Sequence, residues 1–127
     1  VDGDSASITM ATAIISAFEG IPIEQNLAMT GSLSVRGEVL PIGGVTAKIE
    51  AAAQAGIETI IIPRSNLQDV LIDEKYESMV QIKPVDSLDE VLQYALVGTE
   101  DKLSLVERLA NVIDTIDLMS QEHKSTT

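Results

Sequence analysis

Short β-branched runs alternate with helical patterns along this chain, and this alternation constrains its fold more than any other feature. Residues 27–35, 59–62 and 80–85 have the composition of strands, and the second of these runs reads Thr-Ile-Ile-Ile. Residues 36–38 predict a turn into a further short strand that ends at Pro41. Helical patterns separate these strands. The sequence therefore predicts a mixed α/β (α+β) domain.

Helices are predicted over residues 5–19, 45–55, 65–72, 87–96 and 100–119. Asp4 or Ser5 is a suitable N-cap for the first helix, and Gly20 follows its end. This helix is apolar around most of its circumference, so we expect it to be largely buried. Ser87 with Glu90 three residues later predicts a capping box.

The last predicted helix carries an apolar stripe with alternating four- and three-residue spacing. The stripe consists of Leu105, Leu109, Val112, Ile116 and Met119, and it is widened by Leu103, Val106, Ala110 and Ile113. The polar residues that follow, 121–127, are predicted to form a disordered tail.

Charge and residue usage exclude several classes of function. With 20 acidic and 8 basic residues, the net charge is −12, which disfavours binding to nucleic acid or to anionic lipid. Cysteine is absent and the one histidine, His123, falls in the polar tail, so zinc sites and a Ser-His-Asp triad are disfavoured. Residues 37–48 lack the Gly-Lys-Ser/Thr ending of a P-loop. We therefore expect no metal and no nucleotide cofactor in this chain.

A serine and a lysine remain as candidate catalytic residues. Ser5 begins a mostly apolar helix, where it is either an N-cap or a nucleophile beside backbone N–H groups that can stabilise an oxyanion. Lys48 lies in a helix of small apolar residues, either as a snorkelling side chain or as a buried amine that serves as a general base when neutral. A lysine of the second kind can activate a serine where no histidine is available.

Three blocks of sequence occur in a specific order and spacing. They are GDSAS at residues 3–7, MTGSLSVRGEVLPIGGVTAK at residues 29–48, and AGI, IIIP and Asn66 within residues 55–66. Together they closely resemble the proteolytic domain of Lon proteases, from the first residue to about Leu96. Most Lon proteins have Gly-Pro-Ser-Ala-Gly at the nucleophile, so Asp4 and Ser7 are similar instead to the archaeal, membrane-anchored branch.

The resemblance implies a Ser-Lys dyad, with Ser5 as the nucleophile and Lys48 as the general base. Thr30 corresponds to a family threonine whose hydroxyl hydrogen-bonds the lysine amine and orients it. Asp4 replaces a proline, and it either pairs with Lys48 in a resting state or caps the helix.

The resemblance also implies a mixed-sheet fold of the ribosomal protein S5 domain 2 type. Residues 1–98 would form the C-terminal part of a peptidase domain, and residues 99–120 a C-terminal helix of the same domain. Family members degrade unfolded or damaged proteins as hexameric rings, driven by an upstream AAA+ module that binds ATP and Mg²⁺. The implied location is the cytoplasmic side, with any membrane anchor in a segment outside this chain.

A second hypothesis belongs to a different class. Peptidase domains of this family carry further strands before the serine, and those strands would precede Val1. The chain would then be a structural or interaction fragment that retains the dyad without an intact cleft. On this basis we expect the 127 residues alone to self-associate and to be poorly active on peptides.

Overall fold

The computed structural model describes residues 6–98 and 100–125, with side chains described as far as residue 121. The strands are β1 Ala6–Ser7, β2 Leu27–Met29, β3 Ser32–Leu33, β4 Val39–Leu40, β5 Thr59–Pro63 and β6 Gln81–Val85. The helices are α1 Ile8–Glu19, α2 Val45–Gln54, α3 Glu74–Glu77, α4 Leu88–Ala95 and α5 Glu100–Ser125, with a 3₁₀ helix at Arg64–Asp69. The predicted mixed α/β class is confirmed.

The strands form two small sheets, whereas a mixed sheet was expected. β1, β3 and β4 pair antiparallel, and β2, β5 and β6 pair parallel. The single strand predicted over residues 27–35 is wrong, because the chain turns at Gly31, whose φ is +149°. β2 therefore belongs to the parallel sheet and β3 to the antiparallel one.

Helices cover both faces of the parallel sheet. Ile61 of β5 packs in a cluster with residues of α1 and α4, whereas Ile60 and Ile62 pack in a second cluster with α2. Successive side chains of a strand point to opposite faces, so the Ile-Ile-Ile run supplies both clusters. This arrangement explains why β5 is apolar throughout.

The expectation that α1 is largely buried is wrong. Ile8 and Thr12 are its buried residues, whereas Met10, Ile14 and Phe18 are 59%, 61% and 88% exposed. The helix packs against α4 on one side, and these three exposed side chains belong to none of the described core clusters. An apolar composition therefore does not by itself decide burial here.

Two other local expectations are also corrected. Residues 65–72 do not form an α-helix: a 3₁₀ helix, Arg64–Asp69, is followed by extended backbone at Val70. The Ser87 hydroxyl makes no capping bond to a backbone N–H and instead contacts the carboxylates of Asp89 and Glu90. Glu90 accepts from the Asp86 N–H at 3.0 Å, so the reciprocal capping box does not form.

α5 extends to Ser125, beyond the predicted end near Met119, because residues 120–125 contain no glycine or proline to end a helix. Its packed face includes only part of the predicted stripe. Val112 and Met119 are 53% and 64% exposed, whereas Leu105 and Ile113 are each 8% exposed. The Ile113 side chain fills the space beside the Gly37 backbone, which places position 113 rather than 112 toward the domain.

Candidate active site

Lys48 and Thr30 meet at one end of the parallel sheet. Lys48 lies in the first turn of α2, and Thr30 directly follows β2. The Lys48 Nζ donates to the Thr30 Oγ1 at 3.3 Å. Thr30 is 9% exposed, and its own N–H donates to the Ile61 carbonyl at 3.0 Å. The acceptor for the lysine amine is therefore held by the sheet itself.

The turn at Gly31 places Thr30 in this position. It ends β2 at the carboxyl edge of the parallel sheet, which is where open α/β sheets generally form their sites. The Gly31 carbonyl accepts from the Ile8 N–H at 3.0 Å, so the start of α1 is tied to the residue that follows Thr30. The threonine thus lies between the beginnings of α1 and α2.

Lys48 is exposed, so the expected burial of its side chain is wrong for the part of the chain that the structure describes, and its role as a general base stays a prediction. The buried face of α2 consists of Val45, Ile49, Ala52 and Ala53. Among the residues that the structure describes, no carboxylate lies within ion-pair distance of the Lys48 amine. Its partner is a neutral hydroxyl, which can engage the amine whether or not the amine is charged.

Ser5 and Asp4, the other two predicted site residues on the N-terminal side, lie outside the described residues. The helix that follows them begins at Ile8, and its N-cap is Ser7, whose Oγ accepts from the Met10 N–H at 3.0 Å. The capping role considered for Ser5 or Asp4 is therefore taken by Ser7.

The start of α1 offers fewer free N–H groups than expected. The Ile8 N–H donates to the Gly31 carbonyl, and the Met10 N–H donates to the Ser7 hydroxyl. Neither group can serve as an oxyanion donor without giving up a structural hydrogen bond.

One residue near the site had no role assigned from sequence. Asn66 entered only as part of a sequence block, yet its side chain is 1% exposed and bonds the backbone that leads into α2. A buried asparagine after a proline-terminated strand gives no sequence signal of its partner, because Ile42 lies far away along the chain.

The described residues contain a concave region at the opposite end of the parallel sheet from Thr30. A cavity of about 370 Å³ lies at the amino ends of β2 and β5, lined among others by Asn26, Glu58, Lys83 and Lys102. Its lining carries both charge signs. Within residues 6–98 and 100–121, whose side chains are described, no three acidic or histidine side chains group closely enough to hold a metal ion. None of the described helices has the length and apolar composition needed to cross a membrane.

Comparison with known proteins gives consistent matches. Residues 1–98 match the family described as the Lon protease (S16) C-terminal proteolytic domain. The chain is 63% identical over 112 residues to the archaeal Lon protease of Halobacterium salinarum, covering 88% of this chain and 16% of that protein. It is 57% identical over 116 residues to the archaeal Lon protease of Methanothermobacter thermautotrophicus, covering 91% of this chain and 18% of that protein.

A bacterial relative matches over a shorter region. Identity to the Lon protease of Brevibacillus choshinensis is 49% over 96 residues, covering 75% of this chain and 12% of that protein. The chain thus spans less than a fifth of the length of each of these relatives.

Proposed function

This chain belongs to the Lon protease C-terminal proteolytic domain family, and on that premise we propose that it hydrolyses peptide bonds with Ser5 as nucleophile and Lys48 as general base. The observation that carries the proposal is the hydrogen bond between the Lys48 Nζ and the buried Thr30 hydroxyl. It orients an amine that has no carboxylate partner among the described residues. Asp4 is proposed as a resting-state partner of that amine.

The proposed reaction runs through an acyl-enzyme. The neutral Lys48 amine takes the proton of the Ser5 hydroxyl while the Ser5 Oγ bonds to the carbonyl carbon of the substrate. The resulting ammonium gives its proton to the amide nitrogen as the C–N bond breaks, which releases the new amino terminus. A water molecule then attacks the ester carbonyl carbon while Lys48 accepts its proton. Lys48 returns this proton to the Ser5 Oγ as the C–O bond to the serine breaks, and the second product leaves as a carboxylic acid.

Thr30 serves this reaction as a fixed acceptor. Its backbone is bonded to β5, and its hydroxyl therefore presents one lone pair in a constant place to the lysine amine. An amine held in this way keeps its own lone pair directed away from Thr30. Orientation of this kind contributes to rate because the base is already in place when substrate binds.

The negative charge that develops on the carbonyl oxygen requires donors near Ser5. Because the N–H groups of Ile8 and Met10 already have acceptors, we assign the oxyanion donors to the backbone close to Ser5 itself.

The substrates we propose are unfolded or damaged proteins. The full-length protein would unfold them with an upstream AAA+ module that binds ATP and Mg²⁺, assemble as a hexameric ring, and act on the cytoplasmic side with an anchor outside this chain. The 127 residues contain no Walker motif, so ATP binding is assigned to that module. The ribosomal protein S5 domain 2 arrangement likewise stays a prediction from the family.

Two substitutions test the dyad in the full-length protein. Ser5→Ala and Lys48→Arg should both abolish cleavage of a short fluorogenic peptide without lowering the unfolding midpoint, since arginine stays protonated and cannot take the serine proton.

Matched controls separate chemistry from folding. Ser7→Ala removes the N-cap and should cost about 1 kcal/mol of stability while turnover persists. Lys75→Arg changes an exposed lysine of α3 and should alter neither property. Normal turnover in Ser5→Ala or Lys48→Arg would rule out the dyad.

A further inference from the structure

The helix that carries Lys48 begins without a side-chain cap of its own. Its N-cap is Gly44, preceded by Gly43, and no side chain makes a capping bond at this end. Two consecutive glycines leave the backbone before the helix with wide conformational freedom. Something else must therefore fix the direction in which α2 starts.

Asn66 supplies one fixed point just before those glycines. Its Oδ1 accepts from the Ile42 N–H at 3.0 Å, and its Nδ2 donates to the Ile42 carbonyl at 2.9 Å. A carboxamide is suited to this pairing because it both donates and accepts, as a neighbouring strand would. Since Asn66 is 1% exposed, water cannot replace either bond at low cost.

A third bond fixes the orientation of the amide. The Asn66 Nδ2 also donates to the Asp69 Oδ2 at 3.1 Å, which an oxygen at that position could not do. The Asp69 carbonyl in turn accepts from the Thr46 hydroxyl at 3.1 Å, and the same hydroxyl accepts from the Leu71 N–H at 3.0 Å. The segment 66–71 therefore holds the chain two residues before Gly44 and two residues after it.

Lys48 depends on this support more than a buried side chain would. It is exposed, and the bond to Thr30 is the one hydrogen bond of its amine that the described residues provide. Beside Lys48, the buried face of α2 consists of Val45 and Ile49, 3% and 0% exposed, which hold the helix against the core. The bonds of the segment 66–71 add to this packing at the helix start, from which the exposed amine of Lys48 extends.

We infer that Asn66 is a positioning residue for Lys48, setting the start of α2 through its paired bonds to Ile42. The inference rests on the proposed function, because it assumes that Lys48 acts as the base. Asn66 bonds backbone and a neighbouring carboxylate, and it acts on the reaction only through the placement of Lys48. Its effect should appear in the chemical step and leave substrate binding unchanged.

The test compares kcat with KM for a short fluorogenic peptide in the full-length protein. Asn66→Asp keeps the shape of the side chain but removes the donor to the Ile42 carbonyl and places a second carboxylate beside Asp69. Asn66→Leu removes both the donor and the acceptor. Each should lower kcat by about ten- to a hundred-fold, the loss expected when a reacting group is misplaced, with KM within about threefold of the original. Asp69→Asn keeps the pair with Ile42 and should lower kcat less.

Leu105→Ala is the control for general loss of stability. Leu105 is 8% exposed on α5, and it packs in a cluster with residues of α4, away from α2. All variants are assayed at temperatures well below their thermal unfolding midpoints. Retention of kcat in Leu105→Ala alongside its loss in Asn66→Asp supports a positioning role.

The outcomes separate this inference from the proposed function. If Ser5→Ala or Lys48→Arg remains active, the dyad itself is wrong. If those two are inactive while the Asn66 variants keep full kcat, the dyad stands and the positioning role is overturned. The positioning role is also overturned if kcat in the Asn66 variants falls only in proportion to the fraction of protein that is unfolded, with Leu105→Ala showing the same proportion.

Discussion

Replacing Gly31 with alanine should strongly destabilise this domain. The φ of Gly31 is +149°, a conformation that residues with a side chain rarely adopt. An added Cβ would lie 3.2 Å from the Val39 Cγ1, 3.3 Å from the Pro63 Cγ and 3.4 Å from the Ile8 Cδ1. These atoms belong to three elements that converge on the turn, so none can move without disturbing another.

The magnitude follows from two separate costs. Holding a residue other than glycine in such a backbone conformation costs about 1–3 kcal/mol. Inserting a methyl group among well-packed side chains costs about 1–3 kcal/mol more. The expected loss is therefore roughly 2–6 kcal/mol, a large part of the ~5–15 kcal/mol that stabilises a typical domain.

Two further glycines separate these costs in a denaturant-unfolding series. Gly56 has a φ of +79° and nothing within 4 Å of an added Cβ, so Gly56→Ala should cost only about 1–2 kcal/mol of backbone strain. Gly43 has neither a positive φ nor a close neighbour, so Gly43→Ala should be neutral or stabilise by about 0.4–1 kcal/mol. The shift of each denaturant midpoint, with the slope of unfolding free energy against denaturant concentration held constant, gives the change in free energy of unfolding for each variant.

The three variants should follow a strict order of stability, with Gly31→Ala the least stable and Gly43→Ala the most stable. Equal losses at Gly31 and Gly56 would show that the packing around Gly31 contributes nothing. A Gly31→Ala protein within about 0.5 kcal/mol of the original would refute both the strain and the packing arguments.

Two more predictions concern a hydroxyl and an exposed aromatic ring. Thr30→Val keeps the shape of the side chain but removes the acceptor of the Lys48 amine, so kcat should fall about tenfold. The free energy of unfolding should change by about 1 kcal/mol or less. Thr30→Ser keeps the hydroxyl and should restore turnover. Peptide cleavage and unfolding measured on the same samples check this, and unchanged kcat in Thr30→Val contradicts the orienting role. Phe18→Ser should change stability by less than about 0.5 kcal/mol, because Phe18 is 88% exposed and no described core cluster includes it. A thermal-unfolding scan tests it, and a large loss would mean that the outer face of α1 is covered in solution.

Some elements could be predicted because their signals are local. The Thr-Ile-Ile-Ile run followed by Pro63 predicts β5, and Gly56 predicts the end of α2. Both predictions were confirmed within a residue or two. Backbone propensity and the alternation of side chains act within a few residues, so they can be seen in the sequence.

Other features could not be predicted because they depend on contacts between distant segments. The turn at Gly31 divides one predicted strand between two sheets, and side chains from three other elements pack around it. Phe18 and the other outer residues of α1 are exposed because α4 covers only one side of the helix. Apolar composition indicates which residues can be buried, and the arrangement of elements decides which ones are.

The amino-acid sequence alone sets which chemistry is open to this chain. Without cysteine, and with a single histidine in its polar tail, it leaves serine and lysine as the candidate catalytic pair, and its blocks of residues identify the family. Three-dimensional packing was needed to show that the Lys48 amine meets the hydroxyl of Thr30, that Ser7 caps α1, and that the Asn66 side chain bonds the Ile42 backbone just before α2. The last two contacts show why a local contact can be predicted from sequence and a distant one cannot. Ser7 lies three residues from the N–H that it caps, but Asn66 and Ile42 come together only when β5 and β4 have taken their places in two different sheets.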